Sequence, residues 1–72
     1  MNTLVVGATG LLGPEICRHL IGAGCAVRAL IRPTADSGKR TGLAGLGVDL
    51  VEGDLKEPAS LARACVGIQA VI

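Results

Sequence analysis

The sequence predicts an α/β fold built on a doubly wound parallel sheet. Short apolar runs alternate with Gly-rich turns and helix-like segments at intervals of roughly twenty residues, which is the pattern of repeated βα units. The length of 72 residues suffices for one compact unit and excludes two domains. Half of the residues are apolar but none is aromatic, so the core has to be built from Val, Leu, Ile and Ala.

The first predicted βα unit has a strand over residues 3–6 and a helix from about Leu11 to Ala23. Pro14 falls in the first turn of this helix, where its missing N–H has no intrahelical acceptor. Gly24 is the predicted C-terminal cap. The helix places on one face an apolar stripe at i, i+4 and i+8, formed by Leu12, Ile16 and Leu20.

The second unit begins with a strand over Ala26 to Ile31, in which Val27, Ala29 and Ile31 alternate with Arg28 and Leu30 before a turn at Pro33. Residues 34–40 form a polar stretch that is either a loop or the start of a helix. A short helix, weakened by glycine, follows through Leu43, Ala44 and Leu46.

The third unit has a strand over Val48 to Glu52 and a helix over Pro58 to Val66, which Gly67 ends. Residues 69–72 then read as the opening of a fourth strand. Right-handed crossovers between these parallel strands give the order 3-2-1-4, the first half of a Rossmann-type sheet. We therefore expect residues 1–72 to be the N-terminal part of a single domain, truncated in strand 4. Its unpaired sheet edge favours self-association.

The turn between the first strand and the first helix carries a glycine motif with the spacing G-x-x-G-x-x-G. We expect Gly7 to allow the sharp turn, Gly10 to let a diphosphate approach the backbone, and Gly13 to permit close packing of helix and strand. N–H groups at the helix start then face the phosphates. The predicted diphosphate site comprises Gly7, Ala8, Thr9, Gly10, Leu11, Leu12 and Gly13. The structural alternative is a tight βα turn without a ligand.

A cation follows the second strand at the position that distinguishes NADP from NAD. Arg32 lies nineteen residues after Gly13, where an Asp or Glu binds the ribose 2′-hydroxyl of NAD and an Arg accommodates the 2′-phosphate of NADP. Lys39 and Arg40 add positive charge, and residues 28–40 together carry a net +3. The alternatives are a solvated basic loop, and an Asp36 that binds the ribose hydroxyl. A P-loop is excluded because Gly38-Lys39 lacks the required flanking residues.

Asp54 follows the third strand at the carboxyl edge of the sheet, where open α/β sheets bind ligands. It either reaches the adenine of a dinucleotide or caps a local turn through its carboxylate. The three cysteines are too widely spaced for a metal or disulfide motif, and we expect them to be small buried side chains.

Charge and hydropathy limit the partners. The formal net charge of +1 gives no electrostatic basis for binding nucleic acid. No apolar run approaches the roughly 18 residues of a membrane span. Met1 leads into the first strand without the features of a signal peptide, which predicts a cytoplasmic protein.

Three segments together resemble the atypical short-chain dehydrogenase/reductases, especially the NmrA-like and isoflavone-reductase-like group. They are residues 4–13, 27–32 and 51–55. The resemblance implies a diphosphate at Gly7 to Gly13, NADP rather than NAD at Arg32 with help from Lys39, and adenine at Asp54 with Leu55.

It also implies an oxidoreductase as the parent protein, or alternatively a non-catalytic module that senses NAD(P) and binds another protein. The chain has no Tyr and is too short to complete a hydride-transfer site, so we expect these residues alone to be inactive.

Overall fold

The computed structural model describes residues 1–72 and contains four strands and three helices in alternation. The four strands form one parallel sheet in the order β3-β2-β1-β4, which confirms the predicted fold class and topology. The elements are β1 (Asn2–Val6), α1 (Gly13–Gly22), β2 (Ala26–Ile31), α2 (Ser37–Gly45), β3 (Asp49–Glu52), α3 (Pro58–Ala64) and β4 (Ala70–Val71).

Helices cover both faces of the sheet. On one face, Val5, Ala29 and Ile31 pack with Cys17 of α1 and Leu43 of α2. On the other face the buried cluster is smaller and consists of Leu4, Leu30 and Ala64 of α3. Adjacent residues of β1 and β2 thus belong to opposite clusters, because successive side chains of a strand point to opposite faces. Burial on both faces is typical of a parallel sheet with crossover helices.

Helix α1 starts later than predicted. Leu12 is the residue before the helix and is 67% exposed, so it does not belong to the apolar stripe. The helix begins only at Gly13 because the preceding residues form the turn that leaves β1. The buried residues of α1 are Gly13 and Cys17. Pro14 lies in the first turn as predicted.

The other predicted boundaries agree within two residues, and those of β2 agree at both ends. The polar stretch after β2 ends in a regular helix, α2. Asp36 caps α2, since its Oδ2 accepts a hydrogen bond from the N–H of Lys39 at 3.1 Å. The predicted terminators Gly24 and Gly67 follow α1 and α3 with positive φ angles of 87° and 76°. None of the three helices has the length and hydropathy of a membrane-spanning segment.

Candidate functional site

The carboxyl ends of the parallel strands β1, β2 and β3 meet at one edge of the sheet, and the loops that follow them surround a cleft. The volume of this cleft is about 330 Å³. It therefore lies where open α/β sheets bind ligands. The loop residues that line it are Gly7, Thr9 and Gly10 after β1, Arg32, Thr34 and Ala35 after β2, and Gly53 and Leu55 after β3.

The turn after β1, which lines one side of this cleft, contains backbone N–H groups that are not used within the chain. Gly7 has a φ of 74°, which side-chain-bearing residues rarely adopt, and its carbonyl oxygen accepts a hydrogen bond from the N–H of Gly10 at 2.9 Å. The N–H of Gly13 donates to the carbonyl of Gly10 at 3.3 Å. The remaining N–H groups between these glycines donate to no acceptor within the chain; they belong to Ala8, Thr9, Leu11 and Leu12.

These unpaired donors precede the N-terminus of α1, where the helix dipole adds partial positive charge. The turn thus fits an anionic group such as a diphosphate. The side chains contribute less than the backbone, because Ala8 is fully buried while Leu11 is 97% exposed.

The shape of the turn leaves no room for a side chain at Gly13 and little room for one at Gly10. A β-carbon on Gly13 would overlap the backbone carbonyl of Ala8. Gly13 therefore permits close packing, as predicted, but the backbone that it packs against belongs to the turn and not to the strand. A β-carbon on Gly10 would lie 3.1 Å from the carbonyl oxygen of Gly7, which is tighter than nearly all such contacts. Glycine at either position therefore has a structural reason, in addition to the ligand approach predicted for Gly10.

Arg32 leaves the end of β2 and lines the cleft with an exposed side chain that forms no ion pair. Lys39 lies instead in a second groove of about 260 Å³ between α1 and α2. Thr9 and Gly10 line both the cleft and the groove. The two predicted phosphate-binding cations thus flank the glycine turn from different sides.

The positive charge of residues 28–40 is less concentrated than the sequence indicates. Arg28 donates to the carbonyl oxygens of Ala64 and Val66 at 2.9 and 2.7 Å, and pairs with Asp49 at 3.2 Å. Arg40 is likewise held by backbone carbonyls. The guanidinium groups of Arg28 and Arg40 are therefore already bound, and Arg32 and Lys39 remain as the cations without an ion-pair partner.

In the loop after β3, the consecutive residues Asp54 and Leu55 line two different depressions of the surface. Oδ1 of Asp54 accepts a hydrogen bond from the N–H of Lys56 at 2.9 Å, so the carboxylate caps the turn, as the structural alternative predicts. Asp54 lines a separate depression of about 360 Å³, while Leu55 lines the cleft and is 56% exposed. Oδ2 of Asp54 has no partner within the chain.

Sequence reasoning did not identify Ser60, which shapes this loop. Its side chain is 2% exposed, and its hydroxyl accepts from the N–H of Asp54 at 3.0 Å and lies within donating distance of the carbonyls of Asp54 and Glu57. The sequence feature that could have indicated this role is a serine six residues after Asp54, in the first turn of the predicted third helix. Thr34, Ala35 and Gly53 were also missed as cleft residues, because loop geometry decides their positions.

Asp36 and the cysteines take structural positions. The carboxylate of Asp36 is the cap of α2, which is a different role from binding a ribose hydroxyl. The expectation that all cysteines are buried is wrong for Cys65, which is exposed in the turn after α3, and Cys25 is only half-buried. Cys17 is fully buried, and this burial raises the pKa of its thiol.

Comparisons with known proteins match the whole chain. The profile of the NmrA-like family matches residues 2–72. Photosystem II assembly factor Ycf39 of Cyanophora paradoxa is 42% identical over 72 residues, covering 100% of this chain and 22% of that protein. Probable pinoresinol-lariciresinol reductase 3 of Arabidopsis thaliana is 42% identical over 71 residues, covering 99% and 23%. The structure of AtPrR2 with NADP+ and (+)pinoresinol matches with a TM-score of 0.83 at 35% identity, covering 97% and 24%.

The chain spans less than a quarter of the length of each of these proteins. One of the three is a reductase by name, one is an assembly factor, and one contains NADP+ in its structure. The similarity therefore covers one part of proteins with different roles, and that part is the sheet and cleft described above.

Proposed function

Because this chain belongs to the NmrA-like family, we propose that it is the dinucleotide-binding part of an NADP(H)-dependent reductase. In this proposal, residues 1–72 are the N-terminal part of a single NAD(P)-binding domain. The observation that carries the proposal is that one cleft joins the glycine turn, Arg32 and Leu55. These three features differ in chemistry and correspond to the diphosphate, the 2′-phosphate and the adenine of NADP.

The diphosphate is assigned to the glycine turn. The unpaired N–H groups of Thr9, Leu11 and Leu12 supply hydrogen-bond donors, and the N-terminus of α1 supplies partial positive charge. Gly10 carries no side chain that would hold a phosphate away from these donors. A net favourable contribution of about 1.5–3 kcal/mol is typical for each hydrogen bond to a charged group.

The 2′-phosphate is assigned to Arg32. Its guanidinium is exposed at the cleft and has no carboxylate partner, so it is available to bind a phosphate through two N–H groups. Lys39, on the other side of Thr9 and Gly10, adds a second positive charge from the first turn of α2. This arrangement favours NADP(H) over NAD(H), which lacks the phosphate.

The adenine is assigned to the apolar wall formed by Leu55 together with Leu30 and Ala35. A half-exposed leucine loses contact with water when a flat aromatic base covers it, which is favourable. Asp54 belongs to the same proposal through the turn that presents Leu55, since its Oδ1 accepts from the N–H of Lys56 and fixes that turn.

Nicotinamide cofactors supply hydride transfer when bound, and the residues of this chain bind and orient the adenosine half. The cleft is formed by the loops after β1, β2 and β3 together with Val6 and Leu30 of the strands. The proposal therefore assigns the nicotinamide, the substrate and any proton donor to residues outside this stretch, and treats residues 1–72 by themselves as inactive.

The experiment measures dissociation constants of the intact protein for NADP+ and NAD+ by isothermal titration calorimetry. We expect tighter binding of NADP+, and we expect Arg32→Ala to weaken NADP+ binding by about tenfold or more while NAD+ binding changes little. Arg63→Ala is the matched control, since this arginine is exposed and forms no ion pair. Equal affinities in the wild type, or an unchanged preference in Arg32→Ala, contradict the NADP assignment.

A second candidate function is a non-catalytic NAD(P) sensor that binds another protein. The 42% identity to an assembly factor favours it, because that name denotes a protein-binding role. The two functions are separated by following NADPH oxidation by the intact protein with ketone, enone and quinone substrates. Turnover supports the reductase. NADP(H) binding without turnover on any of them, combined with a different affinity for a protein partner in the oxidised and reduced states, supports the sensor.

A cytoplasmic location is also part of the proposal. Fractionation of cells that express the intact protein tests it, and recovery in an organelle or membrane fraction contradicts it.

A further inference from the structure

The side chain of Arg40 binds the backbone of the loop that carries Arg32. Nη2 of Arg40 donates to the carbonyl oxygens of Arg32 and Pro33 at 3.0 and 2.8 Å, and Nε donates to that of Ala35 at 3.3 Å. The Arg40 side chain is only 26% exposed, and Nη1 lies 3.8 Å from Oε1 of Glu52 at the end of β3. One guanidinium thus connects α2, the loop after β2 and the last residue of β3.

These contacts fix the part of the loop that lines the cleft. Arg32 and Ala35 are cleft residues, and the N–H of Ala35 also donates to the carbonyl of Arg32 at 3.0 Å. The Arg32 carbonyl therefore receives two hydrogen bonds, one from Arg40 and one from the turn. The backbone of Arg32 is held in place, while its own guanidinium stays exposed without a partner.

Most of the Arg40 guanidinium is already engaged within the chain. Its Nε and Nη2 groups donate to backbone carbonyls, and its Nη1 group faces a carboxylate. A lysine at this position keeps the charge but has a single compact ammonium, which cannot reproduce the planar fork across three carbonyls. Arg40 and Lys39 carry the same charge, and what distinguishes Arg40 is the set of hydrogen bonds that its planar guanidinium forms with backbone carbonyls.

We infer that Arg40 is a positioning residue that sets the preference for a 2′-phosphorylated dinucleotide by holding Arg32 in place. The inference rests on the proposed function, since it takes Arg32 as the phosphate ligand. Pre-organising a ligand-binding group lowers the entropy lost on binding, and small displacements of such a group weaken binding strongly. Because NAD lacks the 2′-phosphate, we expect loss of Arg40 to weaken NADP binding more than NAD binding.

The test measures dissociation constants for NADP+ and NAD+ with the intact protein carrying Arg40→Ala, Arg40→Lys or the control Arg63→Ala, together with Tm without ligand. We expect both Arg40 variants to lower the NADP+/NAD+ preference by about tenfold and the control to leave it unchanged. If Arg40→Lys retains the wild-type preference, charge alone suffices and the inference is overturned. If Arg40→Ala does not fold, Arg40→Lys decides the question.

A double variant separates positioning from direct binding. If Arg40 acts through Arg32, then Arg32→Ala combined with Arg40→Lys loses no more preference for NADP+ than Arg32→Ala alone. If the double variant instead loses the preference by the product of the two single-variant losses, Arg40 binds the phosphate independently of Arg32 and the inference is overturned. A wild-type protein without a preference for NADP+ overturns the proposed function as well. A wild-type preference that depends on Arg32 but persists in both Arg40 variants overturns only the positioning role.

Discussion

A β-carbon on Gly13 would overlap the backbone carbonyl of Ala8 and lie 2.6 Å from its Cα. The first residue of α1 therefore packs directly against the turn that leaves β1, and only hydrogen fits between them. Ala8 is fully buried in the core beneath this contact, so neither side can move away easily. This contact fixes the turn relative to the N-terminus of α1.

We expect Gly13→Ala to destabilise the protein by about 3 kcal/mol. The added methyl group meets backbone atoms, which cannot move aside as a side chain does by changing its rotamer. Gly22→Ala is the matched control. Gly22 lies in the same helix with nothing within 4 Å of its ideal Cβ position. Alanine should stabilise that position by up to about 1 kcal/mol through helix propensity. Urea unfolding of both variants checks this, and similar effects at both positions would contradict the packing argument.

The fold was predictable because it depends on patterns that are local in the sequence. The apolar run of β2, the Gly-rich turn before α1 and Pro14 each specify one local conformation, and parallel βα units then permit few topologies. Leu12 was assigned wrongly to the apolar stripe because its spacing to Ile16 fits a helix. Leu12 is still part of the turn, and the spacing of apolar residues does not indicate at which residue the turn ends and the helix begins.

The site was predictable in its main positions but not in the roles of its charges. Arg32 and Leu55 line the cleft with the glycine turn, as strand ends in a parallel sheet require. Arg28 and Arg40 appear in the sequence as further positive charge near the site. Their partners lie in other elements, such as Asp49 in β3, and only the folded arrangement determines them.

We expect Arg28→Met to destabilise the protein by about 2 kcal/mol. Arg28 donates to the carbonyls of Ala64, the last residue of α3, and of Val66, which follows that helix. Without Arg28, these carbonyls at the helix end lose their hydrogen-bond donor. Methionine retains the unbranched stem but not the donors. Arg63→Met, in α3, removes an exposed arginine and should change stability by less than about 0.5 kcal/mol. Chemical denaturation measures both, and an equal effect for the two variants rules out the anchoring role of Arg28.

We expect the free energy of unfolding to fall as pH rises above about 9, with Cys17 as a cause. Burial raises the pKa of this thiol from its ordinary value of 9.0, so the folded state retains a proton that the unfolded chain releases. The contribution is fully present below the unfolded pKa and is lost as pH rises toward the folded pKa. Urea unfolding between pH 7 and 10 measures this.

In that series Cys17→Ala should show a shallower decline, whereas Cys65→Ala, at an exposed position, should keep the wild-type slope. Identical slopes for wild type and Cys17→Ala would exclude Cys17 as the source.

We propose that this chain associates through the open edge of β4. The strand pairs with β1 on one side only, and Val71 and Ile72 are 59% and 54% exposed there. Sedimentation of residues 1–72 should show self-association that rises with concentration, and Val71→Lys should weaken it at least several-fold, because a charge opposes pairing of edge strands. Val66→Lys adds the same charge outside the sheet at an equally exposed valine, so it should leave association unchanged. Equal weakening by both variants points to general charge repulsion and rejects edge pairing.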